Sequence, residues 1–350
     1  MLLCLCLAGH KFIFDFEQAR IEMTFDPYVI LLAVIDIENI NLGVLLMLII
    51  RVAGGLGNQM QQYAMYRKLK SLGKEVKLDL SWFNEDNQKG LLAPRKCELK
   101  YFDGIDFEEC TDEERNAFTN RSTITKVINK LVPATRKIFE ETKMYHPEIY
   151  SFKDKYLEGY FLCNKYYADI LPFLQNEILF PKHTDSDMQK RNEELMQKMD
   201  GWHTASIHLR RGDYVTQPEN EALYGGIATD AYYDAAIRYV LDKDYQTHFF
   251  IFSNDPEYAR EHYSDTSRYT IVTGNDGVNS LLDMELMSHC RYNICANSTF
   301  SFWGARLNKR SDKEMIRTYK MRNNQEVNAR DMTDYWKDWI LIDEKGNRVF

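Results

Sequence analysis

Four things are scarce in this 350-residue chain, and each scarcity removes a class of function. Basic residues do not exceed acidic ones: 44 Lys and Arg against 52 Asp and Glu leave a net charge of −8. A surface that grips a nucleic-acid backbone shows as a basic excess, so any anion bound here is expected to be small and locally held. Paired cysteine ligands are missing too. The seven cysteines, at 4, 6, 97, 110, 163, 290 and 295, form no C-x-x-C set, and reduced thiols in a cytosol are expected. Long apolar runs are interrupted: Asp36, Glu38, Asn39 and Asn41 break the stretch from Tyr28 to Ile50. A charge at the centre of a membrane helix costs about 2.5 to 3.5 kcal/mol, so no transmembrane helix is read there. Met1 to Ala8 lacks the basic start of a signal peptide. Low-complexity segments and internal repeats are absent.

What is present is the composition of a soluble globular protein, 45% hydrophobic and 27% charged, with length enough for two cores. Met47 stands directly before a strand that opens the first motif. Residues 1–46 are therefore read as an uncertain N-terminal extension, non-native or mis-assigned. Leu45 to Ala53 reads as a buried parallel strand, followed by Gly54-Gly55-Leu56-Gly57-Asn58-Gln59 and a helix from Met60 to about Leu72, which Gly73 closes as a left-handed cap. Val76 to Leu80 is a second strand. This β-loop-α-β unit starts a Rossmann-like half whose glycines let a ligand approach the backbone and whose helix start offers free N–H groups. Gln59-Met60 stands where a dinucleotide fingerprint wants its third glycine. NAD binding stays open through the offset of Asp79 but is not favoured.

Thr111 to Ala134 reads as helical, Phe139 to Tyr150 shows no periodicity, and Tyr156 to Tyr167 is an apolar-aromatic strand running into a helix through about Leu174. The charged stretch Asp185 to Asp200 reads as a connecting amphipathic helix, with the domain boundary near Pro181 to Gly201. The second half then alternates. Strands are expected at Ala205–Leu209, His248–Ser253, Tyr269–Thr273 and Arg291–Ala296; helices at Thr229–Leu241, Glu257–His262, Leu281–Cys290 and Phe302–Leu307. The expected division is 1–46, 47–182, 200–322 and a C-terminal tail, 323–350. Fold class is α/β, two Rossmann-like domains facing across a cleft.

The strand in Ser206 to Tyr214 is read as half-buried, delivering Arg210 and Arg211 to its C-terminal edge, where ligands of open parallel sheets bind. Two guanidiniums there suit a phosphate or diphosphate. Ser253-Asn254-Asp255 and Asn297-Ser298-Thr299 leave neighbouring strands at the same edge. Read singly, each is ordinary turn or cap chemistry; together they supply hydroxyls, a helix start and a guanidinium pair.

Gly54 to Gln59, His208-Leu-Arg-Arg-Gly-Asp-Tyr214, and Asp283 to Ser288 followed by Ile294 to Ser301 resemble the bacterial α1,2-fucosyltransferases of glycosyltransferase family 11. The resemblance runs from about Leu48 to the segment Trp339 to Asp343. It implies a GT-B-type enzyme that moves L-fucose from GDP-β-L-fucose, with inversion, to the 2-hydroxyl of a terminal β-galactoside in surface-glycan or O-antigen synthesis. It implies no cofactor and no metal: GDP-fucose is the donor substrate and a galactoside glycan the acceptor. No D-x-D stands before a sugar-binding strand, and Asp283-x-Glu285 falls inside a helix. The N-terminal half is then the acceptor side and the C-terminal half the donor side. Carried over by position, Arg210 holds the leaving β-phosphate and Arg211 supports the loop or phosphate. His208 and Asp283 meet guanine, Ser298 and Thr299 meet the diphosphate, and Asn58 in the loop of Gly54, Gly55 and Gly57 faces fucose and acceptor. Asp213 is a structural residue of the arginine loop or the base. The sequence departs from the family pattern at Gln61, Leu162, Asn254 and Phe302. A bacterial cytoplasmic enzyme with no membrane anchor is expected, peripheral membrane association staying open. The rival readings are another acceptor or linkage, and a non-catalytic GDP-sugar or glycan-binding protein of the same fold.

Overall fold

The structure, a computed structural model, describes residues 2–7, 10–15, 46–90, 94–119, 137–324 and 326–349. It divides into two compact units, Met1–Leu46 and Met47–Phe350. In the first, β1 (Leu2–Leu7) and β2 (His10–Asp15) pair antiparallel, with Leu7 opposite His10. Most of the Tyr28 to Ile50 stretch, up to residue 45, lies outside the described residues. Among the described residues no helix is long and apolar enough to cross a membrane.

The second unit holds two sheets, both wholly parallel. The first comprises β3 (Leu48–Arg51), β4 (Val76–Asp79), β5 (Ile138–Glu140) and β6 (Lys155–Glu158) in the order β4-β3-β6-β5. Its helices are α1 (Leu56–Ser71) and α2 (Asp112–Thr119), and α3 (Leu171–Glu177) and α4 (Ser186–Met199) lead to the second half. Of the helix expected over Thr111 to Ala134, α2 covers the start and residues 120–134 lie outside the described residues. The second sheet begins with β7 (Thr204–Leu209). Then come α5 (Asp213–Thr216), α6 (Pro218–Tyr224), α7 (Asp230–Lys243), β8 (His248–Ser253), α8 (Pro256–His262) and β9 (Tyr269–Val272). After these stand α9 (Leu282–His289), β10 (Tyr292–Cys295), α10 (Thr299–Leu307), β11 (Glu314–Thr318), α11 (Ala329–Tyr335) and β12 (Trp339–Ile342).

The stretch expected as a C-terminal tail is part of this sheet. The apolar run Trp339-Ile-Leu-Ile342 pairs in parallel with β11, and Trp336, Trp339, Leu341 and Ile342 are buried. A second correction concerns β7, read as half-buried from its alternation. All six of its residues are buried, because a central parallel strand is covered on both faces. Its polar members find partners: Ser206 Oγ accepts from Asn293 Nδ2 at 2.8 Å.

Helix α10 joins the halves. Its residues from Ser301 to Leu307 are all buried, Arg306 among them. Trp303 and Leu307 share one core with Leu56, Met60 and Tyr63 of α1 and with Leu281, Leu282 and Met284 around α9. Both α1 and α10 begin earlier than their patterns suggest, at Leu56 and Thr299 rather than Met60 and Phe302. Glycine, asparagine and threonine read as loop formers. A helix's first turn tolerates them because its N–H groups make no intrahelical bond.

Candidate active site

Read from β9, the second sheet runs β9-β8-β7-β10-β11-β12, which is third, second, first, fourth, fifth and sixth in chain order. That is the doubly wound order, and its ligand crevice lies outside the C-terminal ends of the strands flanking the reversal, here β7 and β10. A cleft of about 560 Å³ sits there. From β7 it receives His208 and Arg210, from β10 Ser298 and Thr299, and from the loop after β3 Gly54, Gly55, Gly57 and Asn58. Asp283 lines it from the first turn of α9. Nine of the expected site residues thus converge from segments more than two hundred residues apart.

Helices α1 and α10 point their N-termini into this cleft and meet there. A Cβ on Gly57 would fall 2.5 Å from Phe300 N and 2.6 Å from Thr299 Oγ1, so only glycine allows the approach. Beside it the Thr299 hydroxyl donates to Asn58 Oδ1 at 2.9 Å. Neither helix has a side-chain N-cap or an acidic residue in its first turn. By contrast α4, α7, α8 and α11 are capped by Asp185, Thr229, Asp255 and Asn328. At the start of α1 the Glu98 carboxylate, which also lines the cleft, faces the Leu56 N–H; the rest of the first turns of α1 and α10 offers N–H groups and positive dipole ends to an anion.

Arg210 is half-buried, its guanidinium carbon 5.2 Å from the centre of the Tyr214 ring, which stacks on Tyr224 at 4.7 Å. Arg211 goes elsewhere. Its guanidinium lies 3.5 Å from the centre of the Tyr258 ring and bonds Asp255 at 3.4 Å, and it does not line the cleft. Its guanidinium is thus stacked and paired within the loop, an arrangement that holds a cation in place. Asn254, one of the departures from the family pattern, supports the same loop. Its Oδ1 accepts from Arg211 N at 2.9 Å and its amide nitrogen packs on Gly212, whose φ is +33°. The side chain of Asp213 lies outside what the structure describes.

The far end of the cleft is buried. His208 is 7% exposed, its Nδ1 has no hydrogen-bond partner, and burial together with the Arg210 charge pushes its pKa down to about 3. A neutral imidazole with an unused nitrogen is equipped to hydrogen-bond a ligand and not to shuttle protons. Burial pushes the Asp283 carboxyl up to about 7 although Asn275 donates to it at 2.8 Å. Asn275 in turn bonds Asn192 of α4 at 2.8 Å, so the helix read as a plain connector braces the buried end of the cleft.

Asn275 and Tyr224 line the cleft although they belong to no expected motif, and Tyr214 lines it from the end of the arginine motif, where it carries no expected role. Gln59 was noticed only as a missing glycine, yet it is a buried staple. Its amide bonds Gly54 O, Lys96 O and Glu98 N at 2.8 to 3.0 Å. Asp79, the residue that kept NAD open, is buried, bonded to the Tyr156 hydroxyl and to Ser81 N, and outside the cleft. Five cysteines, at 97, 110, 163, 290 and 295, are free thiols. Among the described residues no group of three or more His, Cys, Asp or Glu is placed to hold a metal ion.

The profile of a family described as Glycosyl transferase family 11 matches residues 115–343. The glycine loop lies before that stretch. The chain is 32% identical to an O-antigen biosynthesis glycosyltransferase, WbnK, of Escherichia coli over 76% of this chain and 91% of that protein. It is likewise 32% identical to an alpha-1,2-colitosyltransferase of Escherichia coli, over 73% of this chain and 85% of that protein. Among solved structures it is similar to the fucosyltransferase NodZ from Bradyrhizobium, 14% identical with a TM-score of 0.43, covering 74% of this chain and 92% of that one.

Proposed function

The chain belongs to glycosyl transferase family 11, and from that premise we propose that it moves L-fucose from GDP-β-L-fucose to the 2-hydroxyl of a terminal β-galactoside, in surface-glycan synthesis. The observation that carries the reading is the meeting of Arg210 with the N-termini of α1 and α10 in one cleft. In the step, the acceptor hydroxyl oxygen bonds to C1 of the sugar from the face opposite the phosphate. The C1–O bond breaks, GDP leaves with the electron pair, and the hydroxyl proton ends on the departed phosphate. Negative charge therefore grows on the β-phosphate. Arg210 and the two helix termini, already oriented, stabilise that charge more in the transition state than in the ground state. His208 and Asp283 hold guanine at the buried end, and Ser298 and Thr299 meet the diphosphate. Asn58, tied to Thr299, sets the junction where sugar and acceptor meet. On this reading the cationic groups replace a metal, so turnover persists in EDTA.

Incubation with GDP-fucose and lactose tests the proposal: GDP release with a 2-linked product supports it. A product with another linkage would correct the acceptor geometry, and GDP-fucose binding without turnover would leave a binding protein of the same fold. A second reading keeps nucleotide and linkage and changes the sugar. The relative named an alpha-1,2-colitosyltransferase favours it, and a GDP-colitose arm in the same assay separates the two.

The state of Asp283 gives a pH prediction. Its carboxyl is pushed up to about 7, and accepting the N1–H and amino protons of guanine requires the carboxylate. Below that pH, binding must first remove a proton. The donor KM is therefore expected to be flat above about pH 7 and to rise roughly tenfold per unit below it. Asp283→Asn should abolish the dependence; a donor KM equally flat on both sides of pH 7 in the unaltered enzyme would remove Asp283 from guanine recognition.

A further inference from the structure

The first sheet has a reversal of its own, between β3 and β6, and the segments leaving its C-terminal edge open on a second cleft of about 670 Å³. Asn58, Thr299, Tyr214 and Tyr224 line both clefts, so the two are continuous and join where Asn58 bonds Thr299. Nothing in the donor chemistry uses the second one.

Its walls are pinned. Asn297 Nδ2 donates to Tyr224 O and to Met321 O, and Asn323 N donates to Leu223 O, fixing residues 321–323 to α6. Across the cleft mouth Tyr145 and Tyr335, from opposite halves, lie 5.8 Å apart, with Lys165 Nζ 5.3 Å and 5.6 Å from their centres. Lys165 also pairs with Asp334 at 2.7 Å. Tyr160 projects from the turn after β6 and is 43% exposed. That turn is over-determined. Phe161 has φ +48°, uncommon for a bulky side chain, and Glu141 Oε2 accepts from both Tyr160 N and Phe161 N at 2.9 Å. A Cβ on Gly159 would fall 2.7 Å from Glu141 Cβ. Gln62 ties the same turn to the glycine loop, accepting from Ala53 N and donating to Gly159 O. Burial raises the Glu141 carboxyl above its ordinary range while the two N–H bonds pull it down.

The lining alternates tyrosine rings with exposed amides and carboxylates, Asn324 and Glu326 among them. A pyranose has matching parts, a C–H face for a ring and a hydroxyl edge for polar groups. The cleft is also larger than the neighbouring one, which on the donor reading accepts a whole nucleotide sugar. We propose that this second cleft is the acceptor subsite and that it holds an oligosaccharide of at least two sugar residues. The terminal sugar sits at Asn58 and Thr299, and the preceding residues lie on Tyr160 and the Tyr145–Tyr335 pair. Glu141 is a positioning residue that sets Tyr160. The inference rests on the GDP-sugar reading above.

The test uses the full chain with methyl β-galactoside, lactose and a galactose-terminated trisaccharide. Tyr160→Ala and Asn324→Ala change exposed residues and should leave the thermal midpoint, the donor KM and the slow release of GDP in water unchanged. Each should raise the trisaccharide KM about tenfold while moving the methyl galactoside KM less than about twofold. Glu141→Ala should match Tyr160→Ala, and Glu141→Gln, which keeps an oxygen for the two N–H groups, should restore the acceptor KM. Equal effects on short and long acceptors, no effect on either, or a shift in donor KM overturns the assignment. Saturation-transfer NMR on the GDP-loaded protein separates the two levels of the argument. GDP bound with none of the three glycans bound overturns the subsite alone; failure to bind GDP overturns the donor reading and the subsite with it.

Discussion

Arg210→Ala is expected to lower turnover of GDP-fucose by about 100-fold to 1,000-fold while the protein stays folded. The guanidinium is half-buried at the end of β7, where its removal leaves no cavity in either core. Its charge matters most when the diphosphate departs, so the loss should fall on kcat more than on donor KM. Arg211→Ala is the contrast. That guanidinium lies on Tyr258 and Asp255, a partly exposed arrangement of the kind typically worth about 0.5 to 1 kcal/mol. Its loss should soften the loop and cost well under tenfold in turnover. Retention of full turnover by Arg210→Ala, or equal losses in the two variants, would refute the division of labour between adjacent arginines.

Gly57→Ala should be nearly as damaging without removing any functional group. The added methyl would meet Phe300 N and Thr299 Oγ1 at 2.5 Å and 2.6 Å, and backbone cannot rotate out of the way. The N-termini of α1 and α10 must separate, which strains the core that both halves share. Overpacking of this kind costs roughly 1 to 3 kcal/mol, visible as a lower thermal midpoint. The larger effect is geometric. The Asn58 to Thr299 bond beside it stretches, both clefts change shape at their junction, and a displacement of about 1 Å at a reacting centre can cost about 100-fold in rate. Gly55→Ala supplies the control, since a Cβ there meets nothing within 4 Å. Normal activity in Gly57→Ala at an unchanged midpoint would show that the halves do not meet as closely as the structure places them.

The two arginines show where reading a sequence stops. The Arg210-Arg211 pair at a strand's C-terminal edge is visible from alternation and a terminating glycine. Which guanidinium turns to the cleft depends on Tyr258 and Asp255, more than forty positions later. The helix starts show the same limit. Gly57, Asn58 and Thr299 look like loop formers by themselves, and become first-turn residues only because each helix meets the other's terminus. Asn275 and Tyr224 carry no local pattern, and Tyr214 ends the arginine motif without showing that it lines a cleft, since a lining residue is defined by what lies opposite. The strand Trp339 to Ile342 was legible as apolar but not as the sixth member of a sheet, for register with β11 is a long-range fact.

The amino-acid order alone therefore determined the alternating α/β class, most strands and helices of the second sheet, and most of the residues that converge on the cleft beside it. Local periodicity, glycine and capping chemistry act within a few residues, and those features are written at that range. Tertiary structure decided which of two adjacent arginines lines the cleft, that two helix N-termini converge there, and that a second cleft adjoins the first. Each of these depends on groups brought together from distant parts of the chain, where packing and not local preference selects the arrangement.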